Sequence, residues 1–169
     1  MIIVCPLNRA EDLIAEHRVG HAVSLLGPGT PHPTFTGLKP ARHLRLTFHD
    51  IIGPMEGYSP PQREDVESLV AFLSAWDRRD PILIHCWAGI SRSTAAAFTA
   101  LCLVRPRMAE EELARALRLA SPSATPNRLI VSFADDILGR GGRMVRAIEA
   151  IGRGAEAIEG RPFTLPTRD

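Results

Sequence analysis

The sequence lacks most of the features that would send it to another class. Its 169 residues carry 20 Lys or Arg against 19 Asp or Glu, a formal net charge of +1. No block of one charge sign stands out before the C-terminal end, so a surface built to hold a nucleic acid is not expected. Only three cysteines occur, Cys5, Cys86 and Cys102; they are too few and too scattered for a disulfide framework, which favours a reducing compartment. No apolar run reaches the roughly 20 residues of a membrane-crossing helix. The start, Met1-Ile2-Ile3-Val4-Cys5, has no basic residues and meets Pro6 at once, so no secretory leader is expected. A cytoplasmic protein without membrane or nucleic-acid partners is the expectation. Disorder is excluded by an apolar content of 45%, and the length suits one domain with a single core.

What is present is an alternation of short apolar runs with amphipathic stretches. Residues 2–5, 21–26, 43–48 and 81–85 read as strands, and residues 10–16, about 60–79, 93–104, 109–120 and 128–138 as helices, with one more helix after the Gly139–Gly142 break. This order predicts an α/β domain over 1–152: a central, mainly parallel sheet of four or five strands with helices on both faces. Residues 153–169 read as a loosely ordered, Gly-, Arg- and Pro-rich tail. The Pro- and Gly-rich residues 27–42 cannot continue a helix or a strand, and a loop of that length is expected near the mouth of a site.

The stretch around Cys86 carries the chemistry. A buried strand is followed by Cys86-Trp87-Ala88-Gly89-Ile90-Ser91-Arg92 and then an alanine-rich helix. Strand, tight Gly-containing loop and helix in that order aim the loop amides of residues 87–92 and the positive helix end at one point, suited to a phosphate dianion. Such surroundings favour a cysteine as its thiolate, the nucleophilic form. The planar fork of Arg92 matches two phosphoryl oxygens, and it stays charged throughout turnover. Ser93 can donate to the sulfur when it leaves as an anion, and His85 can hold the loop backbone through its ring nitrogens.

The run His85-Cys86-Trp87-Ala88-Gly89-Ile90-Ser91-Arg92-Ser93 resembles the signature of the cysteine-dependent protein tyrosine phosphatases, and within them the dual-specificity subclass. All of its fixed positions match. The resemblance implies hydrolysis of phosphoesters through a phosphocysteine, with phosphate or sulfate held in the loop, no metal or other cofactor, and a phosphorylated protein or small phosphoester as substrate. Parallel strands deliver Asp50 and Cys86 to the same sheet edge, and Asp50 lies 36 positions before Cys86; the resemblance maps the general acid onto it. Pro126-Asn127 resembles a step whose asparagine braces the catalytic loop, although Asn127 also suits a helix N-cap. By the same analogy, Cys5 lies beside the strand that delivers Cys86 and is a partner for a protective disulfide on oxidation. Two other readings stay open: a phosphate-binding module without turnover, and a different Cys-loop-Arg enzyme such as a sulfurtransferase or arsenate reductase.

Overall fold

The computed structural model describes residues 1–167. Five strands form one sheet in the order β3-β2-β4-β1-β5. These are β1 (Ile2–Pro6), β2 (His21–Leu26), β3 (His43–Thr47), β4 (Ile82–Cys86) and β5 (Phe163–Leu165). The first four run parallel, with Val4 opposite Ile84 and Leu25 opposite Cys86. Strands β1 and β4 are buried along their whole length, as central strands covered on both faces must be. At the edge, β3 mixes buried and exposed positions. All four parallel strands therefore end along one edge, and the chain returns to that edge after each crossover.

The faces are covered unequally. Helices α2 (Arg63–Ala75), α3 (Arg92–Val104), α4 (Glu110–Ala120), α5 (Arg128–Ile137) and α6 (Arg143–Ile151) belong to the main core with Ile2, Val4, Val23, Ile84 and Cys86. Its centre is α3, whose Ala95, Ala96, Ala97 and Ala100 are fully buried; side chains this small let neighbouring elements approach from several sides. The opposite face, with Ile3, Cys5, Ala22 and Leu83, is covered by α1 (Ala10–His17) and by Phe35 and Leu38 from the long loop. Residues 27–42 are thus only partly a site loop: Gly27 stands near Arg92 and His49, while Phe35 completes the core and meets the rings of His43 and His85.

The chain after residue 152 departs from the loose tail expected of it. It turns past residues 122–125, where Ala155 N–H donates to Pro122 O at 2.9 Å and Gly154 N–H to Thr125 Oγ1 at 3.1 Å. It then runs behind the Cys86 loop and ends as β5, antiparallel to β1 with Val4 opposite Phe163 and Ile2 opposite Leu165. Phe163 and Leu165 are buried while Thr164 is exposed, a two-residue period that seals the apolar edge of β1. Three residues between two prolines are too short for that period to stand out in sequence. Arg168 and Asp169 lie outside the described residues.

Candidate active site

The loop between β4 and α3 is held from outside by its carbonyls. Cys86 O accepts from His85 Nδ1 at 3.4 Å, Trp87 O from Leu7 N–H at 3.2 Å, and Ala88 O from Gly160 N–H at 2.8 Å. Further round, Ile90 O accepts from Thr125 N–H at 2.9 Å and from the Thr94 hydroxyl, and Ser91 O from Asn127 N–H at 3.2 Å. With the carbonyls bound to this frame, the loop amides are left for the other side, an arrangement suited to an anion. Gly89 is required twice over. Its φ is +71°, and a Cβ there would lie 2.7 Å from Pro6 N and 2.8 Å from the Cys5 carbonyl carbon.

Two polar groups of the loop and α3 converge on the sulfur. Gly89 N–H donates to Cys86 Sγ at 3.2 Å, and the Ser93 hydroxyl lies 3.1 Å from it. Arg92 is almost fully buried; its Nη1 donates to Phe48 O at 2.9 Å, while its Nε meets no acceptor among the described residues. A phosphoryl oxygen beside Cys86 would supply that N–H with an acceptor of the right charge.

Asp50 stands at the rim, where the segment after β3 places it. Its Oδ1 accepts from the Ser91 hydroxyl and from Asn127 Nδ2, both at 2.8 Å, and no hydrogen bond to Oδ2 occurs among the described residues. The Asn127 side chain serves the helix cap and the Asp50 segment, and only its backbone N–H reaches the Cys86 loop, at Ser91 O. Its Oδ1 caps α5 by accepting from Leu129 and Ile130 N–H, each at 3.1 Å, while its Nδ2 also reaches Ile51 O at 3.2 Å. His49 does not bond to Asp50. Its backbone N–H donates to Ser59 O at 2.7 Å and its Nδ1 accepts from Ser59 N–H at 2.9 Å, closing the 50–58 segment at its base.

Besides the contact of its Nδ1 with Cys86 O, the His85 ring is tied into the sheet on its other side. Ser24 Oγ lies 2.6 Å from His85 Nε2 and 2.7 Å from His43 Nε2, a buried chain across β4, β2 and β3. The proton order follows. A carbonyl only accepts, so His85 Nδ1 carries the hydrogen towards Cys86 O and its Nε2 accepts from Ser24. The hydroxyl has a single proton, so it in turn accepts from His43 Nε2–H. Both rings are neutral in this arrangement, in keeping with burial, which pushes each down to about 4. The available signal was Ser24 itself, a lone polar residue inside an apolar strand.

Trp87 is 62% exposed and lies beside Leu7, Asn8 and Glu159. Cys5 and Cys102 are buried thiols that burial pushes up to about 12. All three cysteines are free. Cys5 belongs to the core on the α1 face and Cys86 to the opposite one, so a protective disulfide between them requires the loop to rearrange. Among the described residues no group of three or more His, Cys, Asp or Glu is placed to hold a metal ion, and no helix is long and apolar enough to cross a membrane.

No protein-family model matches the chain, and no curated protein matches it by sequence. Solved structures do match it in shape. Human DUSP28 superposes with a TM-score of 0.61 at 19% identity, over 89% of this chain and 95% of the other. The Yvh1 phosphatase domain from Chaetomium thermophilum gives 0.58 at 22% identity, over 85% and 93%. A human tyrosine phosphatase-like serine/threonine/tyrosine-interacting protein gives 0.61 at 16% identity, over 83% and 92%. The fold is that of the dual-specificity phosphatases. Within a dual-specificity phosphatase fold of this size, the Cys86 loop and Asp50 occupy the edge at which parallel α/β sheets bind ligands.

Proposed function

We propose that the chain is a cysteine-dependent phosphatase that hydrolyses phosphomonoesters in two displacements. Cys86 Sγ, as the thiolate, attacks phosphorus: the S–P bond forms, the ester P–O bond breaks, and Asp50 gives its proton to the leaving oxygen. Water then attacks the phosphocysteine. A water proton passes to Asp50, the O–P bond forms, and the sulfur leaves with the Ser93 hydroxyl donating to it. Arg92 and the amides of residues 87–92 hold the phosphoryl oxygens through both steps and supply the positive charge the transition state needs.

One observation carries this reading: Gly89 N–H and the Ser93 hydroxyl converge on Cys86 Sγ in a loop whose carbonyls are bound outward, beside a buried arginine with an unmet donor. A phosphate-binding module would have no use for Asp50 being tied to that loop through Ser91 and Asn127. The test is hydrolysis of p-nitrophenyl phosphate, with thiosulfate cleavage and arsenate reduction as parallel assays. Phosphate release by the native chain and none by Cys86→Ser is expected; sulfur transfer or arsenate reduction without phosphate release overturns the proposal.

A further inference from the structure

Beside the nucleophile, on the β1 side, lies a cavity of about 330 Å³ lined by Leu7, Asn8, Trp87 and Glu159. The proposed chemistry uses none of these side chains. Trp87 directly follows Cys86 and exposes most of its indole to solvent. Glu159 is brought to it by the returning C-terminal segment, and Asn8 Nδ2 lies 3.2 and 3.0 Å from its Oε1 and Oε2. Each wall is tied to the catalytic loop: Leu7 N–H to Trp87 O, and Gly160 N–H, next to Glu159, to Ala88 O. The cavity walls are therefore fixed to the Cys86 loop.

Its chemistry selects the occupant. An exposed indole and a carboxylate lining one cavity suit a planar cation, which stacks on the ring and pairs with the oxygens. Glu159 makes no ion pair among the described residues; its partner is a neutral amide. A second phosphate, as in a nucleoside diphosphate or an inositol polyphosphate, would meet that carboxylate with like charge. On the other side of the cup the segment after Asp50 exposes Ile52, Met55 and Tyr58, so the rim offers apolar contact on both flanks, as an extended chain requires.

Resting on the phosphatase reading, we infer that this cavity is a specificity subsite for a basic side chain, arginine above all, within two residues of the phosphorylated residue of a peptide substrate. The test compares phosphotyrosyl and phosphothreonyl peptides that differ only at the neighbouring residue, Arg, Ala or Glu, with adenosine monophosphate as a small competitor and p-nitrophenyl phosphate as reference. Expected for the native chain is a kcat/KM about tenfold higher for Arg than for Glu peptides, mostly through KM. Glu159→Gln should bring the two within about twofold and Glu159→Lys should invert them, with p-nitrophenyl phosphate hydrolysis unchanged. Equal rates on Arg and Glu peptides, a preference that survives Glu159→Gln, or adenosine monophosphate outrunning every peptide overturns this inference. Absence of p-nitrophenyl phosphate hydrolysis overturns the phosphatase reading beneath it.

Discussion

Asn127 holds Asp50 with one arm of its side chain, Nδ2 to Oδ1 at 2.8 Å, while the other arm caps α5. The proposed general acid is thereby fixed relative to a helix terminus, and not only through its own segment. Asn127→Ser keeps an N-cap oxygen and removes the arm. It should lower kcat/KM, which reports the leaving-group step and not the later hydrolysis common to both esters, by roughly tenfold on phenyl phosphate and much less on p-nitrophenyl phosphate, because a good leaving group needs little protonation. Asp50→Asn should show the same dependence on leaving group with a larger loss, about a hundredfold on phenyl phosphate. Asn127→Ala should add a stability loss of about 1 kcal/mol, read from its melting curve. Equal loss on both esters in Asp50→Asn would remove Asp50 from the acid's role.

The Ser24 relay makes a prediction about pH. His43 and His85 are pushed by burial from 6.5 down to about 4. In the unfolded chain both return to the ordinary value, so between about 6.5 and about 4 the unfolded state binds protons that the native state refuses. Stability from these rings is present above pH 6.5 and falls as pH drops towards 4. Thermal melts at pH 7, 6 and 5 should show a progressive decline, and a flat series contradicts it. Ser24→Ala leaves ring nitrogens unsatisfied and should cost about 1–3 kcal/mol, measured by denaturant unfolding at pH 7.

Gly160 separates two jobs of the C-terminal segment. A Cβ at Gly160 would lie 2.9 Å from Gly89 O, a carbonyl of the loop itself, whereas one at Gly154 would lie 2.6 Å from the Ser123 carbonyl carbon, outside the loop. Gly160→Ala should therefore lower kcat/KM, by about tenfold if the loop shifts by even an ångström, with little change in melting temperature. Gly154→Ala should lower the melting temperature and leave kcat/KM of the folded fraction near native. The opposite pattern would place the segment's role in stability alone.

The thiols should differ in reactivity. Burial, reinforced by the charge of Cys86, raises Cys5 to about 12, and burial raises Cys102 similarly. Iodoacetate at neutral pH should label Cys86 alone in the native protein, phosphate should protect it, and all three should label in denaturant. Native labelling of Cys5 or Cys102 ahead of Cys86 contradicts this account.

What was legible in sequence was whatever one contiguous segment carries. The Cys86 loop is complete within nine residues, and β1, β4 and α3 are apolar enough to announce themselves. Asp50 was reachable because parallel strands share an edge. Contacts made across the fold left little trace. Gly160 is one glycine in a Gly-rich stretch and gains its meaning only from Ala88 O. Phe35 closes a core from within a Pro-rich loop. Glu110, one of three glutamates that a helix dipole would explain, is instead buried against Arg140 and Arg143 at 3.0 and 3.2 Å. The Ser24 chain depends on the register of three strands that sequence orders but does not align.

The most direct measurement is to look for phosphorus on sulfur. Asp50→Asn mixed with p-nitrophenyl phosphate, quenched in acid within a turnover and digested, should yield one added phosphoryl group on the peptide spanning Cys86, absent in Cys86→Ser. A phosphoryl group on Ser93, a histidine or a carboxylate, or turnover with no covalent adduct at any quench time, would contradict Cys86 as the nucleophile.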